Sequence, residues 1–283
     1  DPEGALRAHA GISATLNGYY RPDEAVARLR PVFDTITDFD TWPRVAVGLE
    51  MVRGHMLNDE AEESVIVAEQ VMPHAERLAP AGDVIHGIIS KATALAWLGR
   101  HLEGQAALAG AIALADARGL QGQAMRALNN LATCLNSTDP MAAIRAGEEL
   151  YERAIKFSSA VWLERLRFGL ASSRPLVGQF QEALDLLDSI DPAHLSPIMG
   201  AIARCNRLII RGYVDHSPGS GESIRAELAS AGDIGDSQMA DFAATIRVTS
   251  YAMDRDWVRS LDLNLNLDLK WALSVADSVT TAV

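Results

Sequence analysis

Cysteine is nearly missing from this 283-residue sequence, with Cys134 and Cys205 the only two. Two are too few for a disulfide framework and stand in no metal-ligand spacing, so both are expected as small apolar core residues in a reducing, cytoplasmic setting. Basic charge is also scarce. Twenty-five Lys and Arg stand against 37 Asp and Glu, for a net charge of −12, and only Lys91, Lys156 and Lys270 are lysines. Such a surface repels a phosphate backbone, which argues against direct nucleic-acid binding by this segment. Long apolar runs are lacking too. The best, AALAGAIALA at Ala106–Ala115, falls short of the roughly 18 residues that would suggest a membrane span. The opening DPEGALRAHA has no initiator Met and no charged-then-apolar leader, so the chain is expected to be an excised or processed piece of a larger protein.

The marks of catalysis are equally sparse. The sequence contains no GxxxxGK[ST], no HExxH, no CxxC and no GxSxG. His9, His55, His74, His86, His101, His194 and His216 are scattered without ligand spacing. Carboxylates cluster at Asp59–Glu63 and at Glu148, Glu149 and Glu152, where helix starts and solvated faces account for them. No catalytic residue, metal or cofactor is expected.

What the sequence has is periodicity. The stretch GQFQEALDLLDSI, Gly178–Ile190, carries Gly178, Phe180, Ala183, Leu187 and Ile190 on one helical stripe. Stepping back from Ala183 by 40, 39, 40 and 39 residues lands on Ala143, Gly104, Ser64 and Ala25. Four positions on from each lie Leu187, Gly147, Leu108, Ala68 and Leu29, and three further Ile190, Leu150, Ala111, Val71 and Val32. A small residue followed at i+4 and i+7 by apolar or small ones, repeated at a fixed period, specifies a helical repeat whose units pack on their neighbours.

Punctuation places the helices. Asp23 is a candidate N-cap after the break at Gly18–Pro22, Thr41 opens a helix with Trp42 and Pro43, and Asn58–Glu60 caps one toward Leu78 that Pro73 should kink or end early. Asp83 is a further cap, Gly99 and Gly119 are stops, and Asp139 before Pro140 opens another helix. Pro175 should end or kink the helix before Gly178. HSPGSGES, His216–Ser223, reads as the most flexible link, and beyond it Ile224 with Leu228 fits the repeat better than Ser223 with Glu227. A helix is expected over Asp236–Met253, whereas LDLNLNLDL at Leu261–Leu269 alternates like a strand but is read as irregular or helical. Trp42, Trp97, Trp162, Trp257 and Trp271 are expected in the core.

The pattern Gly, any, aromatic, any two, Ala, with apolar residues at the next fourth and seventh positions, resembles the second half of a tetratricopeptide repeat. GQFQEALDLLDSI matches it well, and GRHLEGQAALAGA at Gly99–Ala111 matches with His101 for the aromatic and Gly104 for the alanine. DPMAAIRAGEEL and NGYYRPDEAVARL are weaker matches. With a period near 40, such extended repeats resemble the helical regions of large bacterial LuxR-type ATP-dependent transcriptional regulators and of cyclases. The resemblance implies an all-α, right-handed superhelical α-solenoid of about seven helix pairs. It would form a single domain over residues 1–283, with residues 216–283 less regular.

One constellation rises above this scaffold. Arg126, Arg165 and Arg204 are 39 and 39 residues apart, on the first helices of successive pairs, and His86 lies 40 before Arg126. Packed neighbouring helices are about 8–10 Å apart, so these residues are expected to form a ladder along one face. Asn129, Asn130 and Asn206 lie near the same helical face, and guanidinium groups pair bidentately with carboxylates. The competing reading makes the arginines inter-repeat salt bridges, with partners such as Glu164 or Glu152. In tetratricopeptide proteins the resemblance places first helices along a concave groove. The function expected is therefore a non-catalytic protein- or peptide-binding sensor or scaffold of a bacterial regulator, taking a protein or acidic peptide, with homo-oligomerisation left open. The alternatives are a helical-toroid enzyme with paired carboxylates at its centre and a small-molecule or peptide-pheromone receptor with a deep apolar pocket.

Overall fold

Why the repeat folds as it does is visible at its small positions. In a computed structural model of the chain, which describes residues 1–18, 21–157, 160–195, 197–215, 220–230, 237–255 and 259, Ala25, Ser64, Gly104, Ala143 and Ala183 are all buried. At Gly104 a Cβ would sit 2.6 Å from the Ala92 carbonyl oxygen and 2.9 Å from the Ala96 Cβ, so the two helices meet backbone to backbone. Ser64 holds the same kind of position with a hydroxyl that donates to the Val52 carbonyl at 2.9 Å. The i+4 residues Leu29, Ala68, Leu108 and Leu187 are buried behind them.

The described residues form thirteen α-helices and no strand. In order they are α1 (Pro2–Gly18), α2 (Pro22–Phe33), α3 (Trp42–Leu57), α4 (Ala61–Leu78), α5 (Ala81–Trp97), α6 (His101–Asp116), α7 (Gln121–Leu135), α8 (Pro140–Phe157), α9 (Ala160–Ser173), α10 (Phe180–Ser189), α11 (Pro197–Asp215), α12 (Ser220–Ala229) and α13 (Ser237–Met253). The chain divides into two compact units, Asp1–Leu135 and Asn136–Val283.

In the first unit, successive helices pack on each other, and α1, α3, α5 and α7 also touch in series. Its core is built from Leu29, Met51, Val52 and Val71 at one end and from Ile89, Leu108, Ala124 and Ala127 at the other. In the second unit, Leu187, Ile202, Cys205 and Ile224 are buried members of one continuous cluster.

Local signals worked to different degrees. Asp139 caps α8 as expected, its carboxylate accepting the Ala142 N–H at 2.9 Å. Gly99 and Gly178 stop their helices with φ of 81° and 78°, the left-handed region that costs other residues strain. Pro175 does end α9, which tightens into a 3-10 turn over Arg174–Val177. Other expectations need correction. Asp23 and Asp83 lie in the first turns of α2 and α5 rather than at their caps, because Pro22 and Ala81 already start those helices. There they still favour the helix dipole. Pro73 does not shorten α4, which continues to Leu78.

Ser220–Ser223, taken as link, open α12, and Ile224 and Leu228 are buried while Glu227 is not, which settles the register in favour of Ile224. Trp162, expected in the core, is 39% exposed in the first turn of α9. Residues 216–219, Leu261–Leu269, Trp257 and Trp271 lie outside the described residues. The thiols of Cys134 and Cys205 are both buried and free, and burial pushes them up to about 12 and about 11.

Candidate functional site

In the first unit the first helix of each pair turns polar residues toward the next. Arg126 of α7 donates from Nη1 to His86 Nδ1 of α5 at 2.8 Å and from Nη2 to the Ser90 hydroxyl at 2.7 Å. Asn130 of α7 donates to the Thr93 hydroxyl of α5 at 2.8 Å and accepts from Asn129 at 3.3 Å. Thus the forty-residue spacing between His86 and Arg126 brings those two side chains into direct contact.

The network extends backward to α3 and α1. His86 Nε2 lies 3.5 Å from Glu50 Oε1, and Asn17 of α1 donates to Glu50 Oε2 at 3.0 Å. Because a guanidinium can only donate, His86 Nδ1 is the acceptor and the ring proton sits on Nε2. That buried Nε2–H has no hydrogen-bond partner among the described residues.

Burial governs the protonation states here. It holds His86 well below the usual histidine range, with the positive charges of Arg126 and Arg53 adding to the effect, so the imidazole is neutral. It raises Glu50 above the ordinary carboxylate range against the opposing pull of Arg53, the Asn17 hydrogen bond and Arg126, and it raises Asp83 likewise. Arg126 is pushed down to about 9 by burial and by Arg53, partly offset by Glu50. It therefore remains charged at neutral pH.

Beside this network a pocket of about 250 Å³ opens among α1, α3 and α5. Trp42, Ala46 and Leu49 supply apolar wall, and Arg7, Glu50, Asp83 and His86 supply polar groups. Sequence reasoning found His86 but missed Glu50, although a carboxylate inside the apolar run AVGLEMV of α3 was the available signal.

The remaining ladder residues lie in the second unit. Arg165 of α9 donates from Nε to the Met199 sulfur of α11 at 3.4 Å, and Asn206 donates to the Ser172 hydroxyl at 3.2 Å. Arg204 forms an ion pair with Glu227 of α12 at 2.6 Å, a link between neighbouring helices. Glu164, by contrast, pairs with Arg167 one turn along its own helix. Among the described residues no group of His, Cys, Asp or Glu could hold a metal ion, and no helix is long and apolar enough to cross a membrane.

No protein-family model matches the sequence, and no curated protein does. Solved structures do resemble it. NprR in complex with its cognate peptide NprX aligns with a TM-score of 0.64 at 12% identity, over 95% of this chain and 82% of that one. Rap protein complexed with Competence and Sporulation Factor aligns with a TM-score of 0.60 at 10% identity, over 98% and 89%. The TPR-like repeats of a putative kinesin light chain from Podosopora anserina align with a TM-score of 0.52 at 18% identity, over 77% and 99%. At such identities the likeness defines the fold alone. The chain is an all-α, tetratricopeptide-like helical-repeat domain of the α-solenoid class.

Proposed function

We propose that this chain is a non-catalytic peptide- or protein-binding module, serving as sensor or scaffold in a bacterial signalling or transcriptional regulator. The ligand would be an acidic peptide or a partner segment lying along first helices within a unit; the candidate contacts are Arg126, Asn129, Asn130 and His86 in the first unit and, separately, Arg165, Arg204 and Asn206 in the second. The observation that carries this reading is the continuous polar seam on the first helices α1, α3, α5 and α7, where groups from successive repeats meet beside an open pocket. A face maintained only for packing would be apolar, since buried polar groups stabilise little and cost much when unpaired. Two structural neighbours also support it, since NprR binds its cognate peptide NprX and Rap protein is complexed with Competence and Sporulation Factor.

The test is fluorescence anisotropy with labelled acidic peptides of mixed sequence, on the wild type and on the Arg165→Ala/Arg204→Ala double variant. Binding that weakens with salt and drops at least about tenfold in the variant is expected, since a charge-assisted hydrogen bond contributes about 1.5–3 kcal/mol. Binding indifferent to both the arginines and the salt would sink the assignment.

A further inference from the structure

The pocket among α1, α3 and α5 holds groups whose hydrogen-bonding capacity the chain itself leaves unused. Glu50 receives a side-chain hydrogen bond from Asn17 alone; the neutral His86 ring lies 3.5 Å away, and the charges of Arg53 and Arg126 reach Glu50 only through space. Asp83 makes no side-chain hydrogen bond or ion pair with any described residue, while Arg126 has its guanidinium engaged by His86 and Ser90. His86 Nε2–H is buried and makes no hydrogen bond, its neighbouring acceptor Glu50 Oε1 lying 3.5 Å away. These three groups border one cavity together with the apolar wall of Trp42, Ala46 and Leu49.

Each group specifies part of an occupant. Neither carboxylate forms an ion pair with Arg53 or Arg126, which act on Glu50 only through space, so both can take a compact positive charge, and the His86 N–H can take an acceptor close to that charge. The apolar wall calls for a hydrocarbon group attached to the same few atoms. Arg7, also on the lining, argues against a bare cation and suits a ligand whose carbonyls continue past the charge. The α-ammonium, first side chain and first carbonyl of a peptide combine all of these within a few bonds, and capture of a chain's amine end is an established recognition mode.

We infer that this pocket captures the free amino terminus of a peptide whose first residue is apolar, with the ammonium toward Glu50 and Asp83 and the first carbonyl toward His86 Nε2–H. The inference rests on the peptide-binding reading above and adds which end of the ligand is held, and where. A free apolar amino acid shares the ammonium and the side chain but ends in a carboxylate, so the two sources can be told apart.

The experiment titrates the full chain with leucinamide, leucyl-glycinamide, N-acetyl-leucinamide and free leucine. It follows the Trp42 indole N–H by NMR, assigned with Trp42→Phe. The two free-amine amides are expected to bind and shift that resonance, and the acetylated one is expected to bind at least about tenfold more weakly, as is leucinamide to Asp83→Asn. Glu50→Gln, which keeps an acceptor for Asn17, gives the same loss, and circular dichroism shows that each variant is folded.

Equal binding of free and acetylated amides, insensitivity to both carboxylate substitutions, absence of any binding, or binding of leucine without leucyl-glycinamide would each overturn the inference. The two readings fail separately. If acidic peptides bind regardless of N-acetylation, the pocket assignment falls and the groove stands, whereas amide binding without any binding of longer peptides leaves the pocket and removes the groove.

Discussion

Gly104 and Gly110 lie on the same helix, α6, yet substituting each with alanine should move stability in opposite directions. On an exposed face the exchange removes the backbone freedom of glycine from the unfolded chain and favours the helix by about 1 kcal/mol. Gly110 is exposed and an added Cβ would meet nothing within 4 Å, so Gly110→Ala is expected to stabilise by close to that amount. At Gly104 the Cβ would approach the Ala92 carbonyl oxygen at 2.6 Å and the Ala96 backbone nitrogen at 3.0 Å. Neither is the end of a flexible side chain, so α5 and α6 must separate, and overpacking of this kind costs about 1–3 kcal/mol. After subtracting the propensity gain, Gly104→Ala should destabilise by up to about 2 kcal/mol. Urea unfolding followed by circular dichroism measures both variants. The useful quantity is their difference, since helix propensity largely cancels from it. If both alanines stabilise to the same extent, the close approach of helix pairs at the small repeat position is wrong, and with it the register on which the ladder rests.

Three further outcomes follow from the geometry. Cys134 and Cys205, with thiols pushed up to about 12 and about 11, should react with iodoacetamide at pH 8 only very slowly in the native state and rapidly in urea, because the thiolate is the nucleophile; fast native labelling would refute their burial. Arg204→Ala should change stability by no more than about 1 kcal/mol, since its ion pair with Glu227 is partly exposed and screened by water, while weakening the binding of acidic peptides. A loss of stability well beyond that would make Arg204 a structural residue. Folding should also respond to acid through His86. Its folded-state value lies well below the unfolded 6.5, so the unfolded chain binds more protons in that interval, and stability is full above about pH 6.5 and declines as pH falls toward the folded value. Glu50, raised above 4.5, contributes in the opposite sense, with stability lost as pH rises through its interval. Thermal melts between pH 7 and pH 5 should therefore show a loss on acidification that shrinks in His86→Asn; an unchanged slope would contradict a buried neutral imidazole.

The repeat was legible because close helix packing leaves a mark that a single sequence carries. Ala25, Ser64, Gly104, Ala143 and Ala183 are small and buried, Gly104 where its backbone meets that of α5, and they recur at the interval of the structural unit. The helix ends were less legible. Asp23 and Asp83 look the same in sequence whether they cap a helix or sit in its first turn, since the dipole favours a carboxylate in both places. Pro73 looked like a kink or an early end, but α4 runs on to Leu78, with Val71 and Ala75 buried on either side of it. Tertiary burial outweighed a local penalty that sequence reasoning took at face value.

The candidate site was readable only where it followed the repeat. His86 and Arg126 occupy equivalent positions, so their spacing marked them, and they are in contact. Glu50 and Arg7 also fall on the interval, Glu50 lying 40 residues before Ser90 and Arg7 79 before His86, but the side chain changes at each step, while Trp42 and Asn17 come from helix ends where the period gives no guidance. Yet these changes of side chain determine the chemistry. The period builds a series of similar first helices, and a series of similar surfaces recognises nothing in particular. Discrimination requires departures from it, such as a carboxylate within an apolar run that meets a buried neutral histidine. In a helical repeat the residues that break the pattern are therefore the first place to look for what the protein binds, and in this chain they gather around one pocket.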